Sequence, residues 1–252
     1  MLEICALASG SNGNSYYIGN EKEAILIDAG ISYNMLVKRL EHANLDKSKI
    51  KAIFISHEHT DHVQGIRGCS KKLGIPGIFS QHTYLKSFKR HQPDLYAFFE
   101  HGIAYTIGEL SVYPIKKQHD AHDPHSFRIS CNGNNIGVFT DIGAADETLK
   151  NEFAKCDTVF LESNYDKEML WKGSYPIKIK QRVDSTIGHL SNDQALELVL
   201  KHASDKLKTI FISHISFSNN THELVLKTFS SLNGKYDIKL TSRYGISEVL
   251  RF

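Results

Sequence analysis

Short apolar runs separated by turn-forming residues make up most of the chain. Runs of this length bounded by Gly, Asn, Asp or Pro are typical of buried strands. They predict strands over residues 2–8, 16–18, 24–27, 53–55, 76–80, 103–107, 110–115, 125–130, 135–140, 158–161, 209–212 and 236–240. Some neighbouring runs flank a short turn such as Gly19-Asn20 or Gly108-Glu109, so we expect them to form hairpins.

A second pattern, with apolar residues three or four positions apart, predicts helices between the strands. The predicted helices cover residues 32–42, 63–73, 83–90, 145–154, 190–204 and 221–232. Ser191 or Asn192 is suited to cap helix 190–204, and Gly74-Ile75-Pro76 ends helix 63–73. Strands and helices occur together in both halves of the chain, which predicts an α/β or α+β fold.

The composition is that of an ordinary globular protein. Of 252 residues, 41% are hydrophobic and 23% are charged, and the formal net charge is only +2. A chain of this length can bury a sizeable core, and we expect residues 1–252 to form a single domain. The small net charge neither requires nor excludes a nucleic-acid partner.

Cysteine usage and apolar run length predict the compartment. The cysteines lie far apart and form no CxxC pair, so we expect reduced thiols rather than disulfides or a zinc ribbon. They are Cys5, Cys69, Cys131 and Cys156. The N-terminus shows no signal-peptide pattern, and no apolar run approaches the length of a membrane span. We therefore expect a soluble, cytoplasmic protein without a membrane partner.

The distribution of histidine indicates a functional site. The chain contains 14 histidines. Directly after predicted strand 53–55, the segment Ser56-His57-Glu58-His59-Thr60-Asp61-His62 contains three histidines and an aspartate. Imidazole and carboxylate groups are ligands that zinc and similar cations prefer. In an extended strand end His57 and His59 point to the same side, and four donors in two pairs suit two metal ions. The alternative is a polar loop whose histidines only form hydrogen bonds and cap a helix.

His57-x-His59-x-Asp61-His62 resembles the HxHxDH signature of the metallo-β-lactamase superfamily. The related diiron oxygen reductases carry glutamate at the position of His59, so the resemblance is to the hydrolase branch. It implies an αββα sandwich in which two mixed β-sheets, flanked by helices, hold two divalent metal ions between them at the strand ends. Zinc and manganese both accept these ligands.

Three more candidate ligands each follow a predicted strand, as His57 does. The resemblance implies two metal sites with a shared carboxylate and a bridging water or hydroxide. One ion would be held by His57, His59 and His119, the other by Asp61, His62 and His214, with Asp141 between them. His122 is a rival to His119, although the turn signal Asp123-Pro124 favours His119. Asp141 could alternatively cap helix 145–154.

Asp28 ends predicted strand 24–27. In the simplest interpretation it caps helix 32–42. The resemblance implies instead that its carboxylate supports the metal site, because a hydrogen bond from a ligand imidazole fixes the tautomer of that ring. The glycine- and hydroxyl-rich segment 9–15 could bind an anion through its backbone N–H groups or could form only a turn.

Glu162 and His189 resemble a pair found in nuclease members of the superfamily. In those proteins a glutamate orients a histidine that acts on the scissile phosphate or the leaving oxygen. The resemblance implies catalytic roles for His189, Glu162 and Asp61, with His189 as a proton donor or phosphate contact. The alternative is that His189 only caps or packs against helix 190–204.

The segment 167–182, between Glu162 and His189, contains five cations, one acid and two large aromatic side chains. Cations contact phosphates and aromatic rings stack on bases, so this composition favours a nucleic-acid strand as partner. A solvated basic loop is the alternative. The helix start at 191–192 also offers N–H groups to an anion. The predicted substrate contacts are Ser191, Asn192, Lys178, Lys180, Arg182 and Asn219.

The motifs and their order resemble the bacterial YycJ/WalJ group of the superfamily from about residue 1 to residue 220. The matching segments are 9–15, 57–62, 119–124, 140–143, 162–166, 188–192 and 213–220. This resemblance implies a 5′-to-3′ DNA exonuclease with a role in DNA repair, and DNA rather than RNA as substrate. Two alternatives stay open: a hydrolase of the same fold that opens a lactone, thioester or cyclic phosphodiester, and a non-catalytic nucleic-acid-binding protein stabilised by metal.

Overall fold

The computed structural model describes residues 1–252 and contains fourteen strands in two sheets. The first six strands are β1 (Glu3–Ala8), β2 (Ser15–Gly19), β3 (Ala24–Ile27), β4 (Ile50–Phe54), β5 (Gly77–Phe79) and β6 (Tyr96–Phe98). They are followed by β7 (Tyr105–Ile107), β8 (Leu110–Lys116), β9 (His125–Cys131), β10 (Asn134–Phe139), β11 (Thr158–Glu162), β12 (Thr209–Ser213), β13 (Asp237–Leu240) and β14 (Leu250–Arg251). One sheet has the order β14-β1-β2-β3-β4-β5-β6 and the other β13-β12-β11-β10-β9-β8-β7.

Nine α-helices lie between the strands. They are α1 (Tyr33–His42), α2 (Thr60–Val63), α3 (Ile66–Leu73), α4 (Gln81–Lys86), α5 (Glu147–Phe153), α6 (Lys167–Lys172), α7 (Ile177–Val183), α8 (Asn192–His202) and α9 (His222–Thr228). Short 3-10 turns cover Lys47–Lys49, Lys89–His91 and Phe229–Leu232. None of the helices has both the length and the apolar character that a membrane crossing requires.

Each sheet changes from antiparallel to parallel pairing part-way across. Strands β14, β1, β2 and β3 pair antiparallel, whereas β3 to β6 pair parallel. In the second sheet, β7 to β10 pair antiparallel and β10 to β13 pair parallel. The parallel register pairs Ile27 with Phe54 and Phe139 with Leu161. Residues that follow these strands therefore meet at one edge of each sheet.

The two sheets face each other across a buried core. Tyr16 packs on Phe160 with ring centroids 5.0 Å apart, and Phe54 packs on Phe127 at 6.0 Å. The outer face of the first sheet buries apolar side chains of α1 and α3. The outer face of the second buries those of α5, α8 and α9. The layer order is helix, sheet, sheet, helix, so the predicted αββα sandwich of mixed sheets is confirmed.

The predicted helix over 63–73 is wrong in its boundaries, because the chain forms α2 and α3 instead. Gly65 lies between them, and its N–H donates to the carbonyl oxygen of Ala29 at 2.8 Å. A Cβ at this position would lie 1.8 Å from the carbonyl oxygen of Ile31. Only glycine permits this close approach. The contact holds α2, the helix that contains Asp61 and His62, against the end of β3.

Other observed helices and strands also differ from the predicted ones, because of helix capping and of strand pairing between distant parts of the sequence. The predicted helix over 83–90 begins earlier, at Gln81, because the Ser80 hydroxyl accepts the N–H of Thr83. The segment 167–182 forms helices α6 and α7. It is therefore not the loop that the sequence offered as an alternative. Strands β6 and β14 have no predicted counterpart, since each is short and is stabilised by a neighbour distant in sequence.

Candidate metal centre and active site

Three site residues have left-handed backbone within two residues of the end of a strand. The φ angles are 64° at Asp28, 54° at Asp141 and 53° at His214. Aspartate and histidine tolerate this region better than most residues, but it still costs free energy and persists only where packing enforces it. Each residue turns the chain sharply where β3, β10 or β12 ends, so all three side chains lie at the same edge of the sandwich.

The first donor group consists of His57, His59 and His119, whose ligand atoms lie within 4.8 Å of one another. Burial lowers the pKa of His57 well below its usual value and that of His119 to about 4. Both rings are therefore neutral at pH 7, which is the form that binds a metal. Nδ1 of His119 lies 3.0 Å from the carbonyl oxygen of Gly188, so Nδ1 carries the proton and Nε2 is free.

The second donor group consists of Asp61, His62 and His214. Oδ2 of Asp61 lies 3.5 Å from Nε2 of His62 and 3.7 Å from Nε2 of His214. Burial alone would lower the pKa of both histidines. Surrounding carboxylates outweigh burial and raise the pKa of His62 well above its usual value and that of His214 to about 10. These carboxylates therefore attract positive charge, which a divalent cation supplies.

Asp141 lies between the two donor groups. Its Oδ2 is 3.2 Å from Nε2 of His62, and its Oδ1 is 3.4 Å from Nε2 of His214 and 4.0 Å from Nε2 of His119. Helix α5 is capped by Asp146, so the alternative in which Asp141 caps that helix is wrong. The carboxylate is positioned to contact cations on both sides.

The donor set fits a bound metal. Nε2 of His119, Nε2 of His214 and Oδ2 of Asp141 are buried and have no hydrogen-bond partner within the protein. Buried polar atoms without partners are costly, so their convergence at one place indicates that a ligand completes the site. Nitrogen and carboxylate donors are those of zinc or manganese. The ligand assignments to individual residues stay predictions.

His122, the rival for the third histidine, lies outside both donor groups. Its Nδ1 lies 2.6 Å from Oε1 of Glu58, and its side chain is 55% exposed. His119 instead is buried beside His57, with ring centroids 5.0 Å apart. The two histidines therefore differ in their surroundings, and only His119 belongs to a donor group.

Asp28 contacts the site through His62 and Ser56. Its Oδ2 lies 2.7 Å from Nδ1 of His62, and its carboxylate accepts the N–H and the hydroxyl of Ser56 at 2.8 Å each. Helix α1 is capped by Ser32, so the capping alternative for Asp28 is wrong. A carboxylate accepting from Nδ1 leaves Nε2 of His62 free toward Asp61.

Two supporting residues were not singled out from the sequence. Asn14 donates from Nδ2 to Oδ2 of Asp61 at 3.2 Å and lies 3.1 Å from Nε2 of His62. Lys117 is buried, and its Nζ donates to the carbonyl oxygen of Thr140 at 2.6 Å. Asn14 lies in the 9–15 segment, which thus holds side chains of the site. No local pattern indicates that Lys117 is buried against the backbone of Thr140, the residue before Asp141.

Glu162 is fully buried and contacts two histidines. Its Oε1 lies 2.7 Å from Nδ1 of His189 and 3.1 Å from Nδ1 of His214. Its Oε2 accepts the N–H of Ile142 at 2.8 Å and of Leu190 at 3.3 Å. Burial alone would raise the pKa of Glu162, but His189 and His214 lower it to about 2. The ionised carboxylate therefore fixes the orientation of His189, whose role stays a prediction.

Most of the predicted substrate contacts are engaged within the protein. Ser191 caps α8 by accepting the N–H of Gln194. Asn192 is buried between Ser163 and Asn220. Its side-chain amide accepts a hydrogen bond from the hydroxyl of Ser163 at 2.6 Å and donates one to Oδ1 of Asn220 at 3.0 Å. Asn219 is also buried. The side chain of Asn192 connects the start of α8 to residues that follow β11 and β12, and none of the three residues is exposed to solvent.

The three predicted cationic contacts differ in their surroundings. Nζ of Lys180 donates to the carbonyl oxygen of Trp171 at 2.7 Å, and Arg182 forms an ion pair with Asp120. Lys178 is exposed on α7 and forms no ion pair. The ion pair between Arg182 and Asp120 holds helix α7 beside the loop that carries His119.

The sequence profile of the Metallo-beta-lactamase superfamily matches residues 8–214. The chain belongs to the metallo-β-lactamase superfamily. This is a superfamily of metal-dependent hydrolases, so the expectation of an enzyme of that class is confirmed. The histidine and aspartate groups at the sheet edge are positioned to bind metal.

Two relatives match this superfamily member over most of its length. It is 31% identical over 240 residues to the exodeoxyribonuclease WalJ of Streptococcus pneumoniae, which covers 92% of this chain and 88% of that protein. It is 30% identical over 234 residues to the exodeoxyribonuclease YycJ of Bacillus anthracis, with coverages of 92% and 89%. The predicted resemblance to the YycJ/WalJ group is confirmed.

The fold is similar to that of a solved metallo-β-lactamase fold protein, YhfI from Bacillus subtilis. The TM-score is 0.73 at 14% identity, and the match covers 100% of both chains. At this identity the similarity concerns the fold alone. It agrees with the sandwich of two mixed sheets described above.

Proposed function

We propose that this chain is a dinuclear metal-dependent phosphodiesterase that degrades DNA as a 5′-to-3′ exonuclease, with a role in DNA repair. The observation that carries the proposal is the convergence of two donor groups on Asp141, whose Oδ1 also lies 3.8 Å from Nδ1 of His189. The similarity to two proteins named exodeoxyribonucleases supports DNA as the substrate.

We propose that His57, His59 and His119 would hold one ion, that Asp61, His62 and His214 would hold the other, and that Asp141 would contribute its carboxylate to both. Bound there, zinc or manganese ions would lower the pKa of a shared water and stabilise charge on the attacking and leaving oxygens. Asp28 and Asn14 orient the second group from behind through their contacts with His62 and Asp61.

His189 is the proposed proton donor. Because the carboxylate of Glu162 accepts at Nδ1, the other ring nitrogen, Nε2, is available to the substrate. The ionised Glu162 stabilises the protonated imidazole, which can then donate to the departing oxygen or hold the scissile phosphate. Lys178 is the proposed phosphate contact on α7, since Lys180 and Arg182 are engaged elsewhere.

The proposal is tested with end-labelled linear DNA and closed circular DNA, each incubated with Mn²⁺, Zn²⁺ or EDTA. We expect metal-dependent release of nucleotides from linear ends only, starting at the 5′ end, and no release by Asp61→Ala. Intact DNA under every metal, combined with turnover of a lactone or thioester, would contradict the proposal.

A control variant tests whether activity depends on His189 in particular or falls when any histidine is removed. His82 lies on the exposed side of α4 and belongs to neither donor group. We expect His82→Ala to keep full activity while His189→Ala loses it. Equal activity of the two variants would remove His189 from the mechanism.

We also propose that residues 1–252 form one domain in the cytoplasm. One buried core cluster contains side chains of both sheets, so neither sheet has a separate core on that face. All four cysteines are buried and unpaired, which supports a reducing compartment. Two separate melting transitions would contradict the single domain, and recovery of the protein outside the cytosolic fraction would contradict the compartment.

A further inference from the structure

Two exposed aromatic rings meet on the surface beside the proposed second metal site. Phe217 and Tyr244 are 68% and 72% exposed, and their ring centroids lie 6.5 Å apart at an interplanar angle of 88°. Phe217 follows His214 by three residues, so the two Cα atoms are at most about 11 Å apart. Large rings held at the surface lose the burial that normally stabilises them, which indicates a surface that another molecule covers.

Arg243 lies between these rings. Its guanidinium carbon is 5.4 Å from the centroid of Phe217 and 5.7 Å from that of Tyr244. Nε donates to Asn12 and one terminal nitrogen donates to Ser11, each at 3.2 Å. Arg243 forms no ion pair, so the remaining N–H groups of its guanidinium are available to an anion.

The aromatic pair and Arg243 line a cavity of about 290 Å³ that also contains Ser9, Ser216 and Asn220. The hydroxyl of Ser9 accepts the backbone N–H of His214 at 2.8 Å. The cavity and the metal site therefore share a wall, and a chain that occupies the cavity can continue into the site.

We propose that Phe217, Arg243 and Tyr244 form a subsite for a nucleotide of a single-stranded substrate, next to the nucleotide that is cleaved. A base stacks on the aromatic rings, and the free N–H groups of Arg243 bind a phosphate. Bases in a duplex are stacked on each other and cannot reach the rings, so the subsite selects frayed or single-stranded ends. This inference rests on the proposed nuclease function and adds to it a preference for single-stranded over double-stranded DNA.

The test is binding of fluorescent single-stranded and blunt double-stranded DNA, made with phosphorothioate linkages, to the full-length metal-loaded protein. We expect Phe217→Ala and Tyr244→Ala each to raise the Kd for the single strand about tenfold and to leave the Kd for the duplex within about twofold. Tyr244→Phe keeps the ring and should keep the affinity. Arg243→Gln should also flatten the dependence of log Kd on log salt by about 0.7, the change for one phosphate contact to a single strand.

The chain offers a matched control in Phe88 and Arg90. Phe88 is 63% exposed and Arg90 lies 4.9 Å from its ring centroid, on a segment that carries no proposed ligand. If Phe88→Ala and Arg90→Gln change the Kd as much as the subsite variants do, the inference is wrong. It is also wrong if the variants change only self-association in sedimentation, because the rings would then contact a second copy.

The two levels of the proposal fail in different ways. Wild-type protein that neither binds nor degrades DNA contradicts the nuclease function itself. Wild-type protein that degrades DNA, with subsite variants that bind single strands equally well, contradicts only the subsite.

Discussion

Oε1 of Glu162 lies 2.7 Å from Nδ1 of His189, although the two residues are separated by 26 others in the sequence. The same carboxylate accepts the backbone N–H of Leu190, the residue after His189. It therefore fixes both the ring and the backbone of the proposed proton donor. Since its pKa is about 2, the carboxylate is ionised at pH 7.

Replacing Glu162 with glutamine should lower kcat more than it changes KM. The amide keeps the shape and the hydrogen bonds to the backbone but loses the charge that stabilises protonated His189. We expect kcat on DNA ends to fall about 10² to 10⁴-fold, the usual contribution of a general acid. The double variant with His189→Ala should be no slower than His189→Ala alone, because both changes remove one function. Additive losses would show that Glu162 acts through another residue.

The wild-type protein should bind two divalent ions per chain, and Asp141→Asn fewer. Asp141 lies between both donor groups, so losing one carboxylate charge weakens two sites together. The measurement is elemental analysis after dialysis against metal-free buffer. Adding metal back should raise the melting temperature of the wild type, since ions bind only the folded chain. One ion per chain in the wild type would contradict the dinuclear site.

Removing Arg182 and Asp120 together should leave DNA affinity nearly unchanged. Their charges are paired, so Asp120→Asn with Arg182→Gln preserves the net charge of that surface. Lys178→Gln removes an unpaired cation and should flatten the dependence of log Kd on log salt by about 0.7 for a single strand. The result would contradict the structure if the double variant flattened this dependence as strongly as Lys178→Gln.

Phe160→Ala should destabilise the protein by about 3–5 kcal/mol, because it opens a cavity between the two sheets. The ring of Phe160 stacks on Phe211 at 4.8 Å and packs on Tyr16 at 5.0 Å. Leu200→Ala on the exposed face of α8 should change the free energy of unfolding by no more than about 0.5 kcal/mol. Urea unfolding compares the two, and equal effects would contradict the face-to-face packing.

The contribution of Glu152 to stability should be lost in acid. Burial alone would raise its pKa, but hydrogen bonds from Lys155 and Arg128 lower it below the usual 4.5. A carboxylate with a lowered pKa stabilises the fold fully above its unfolded value and loses that contribution as pH falls below it. The difference in free energy of unfolding between wild type and Glu152→Gln should therefore shrink below pH 4.5. A difference that grows in acid would reverse this assignment.

The sequence by itself determined where donor residues lie along the chain. Apolar runs ending in His57, Asp141 or His214 predict strand ends, and parallel strands place their carboxyl ends at one edge. Local signals also favoured His119 over His122, because a turn follows the second. The positions of the strand ends depend on the periodicity of neighbouring residues, and the structure confirms them, while the ligand roles stay predictions.

Only the tertiary structure decided which side chains are free to act. Asn192 and Arg182 have suitable chemistry for a substrate, but residues distant in sequence engage both. Phe217 and Tyr244 are ordinary loop residues until the ends of β12 and β13 bring their rings together. Such contacts depend on how layers pack across long loops, and local propensity carries no information about that packing.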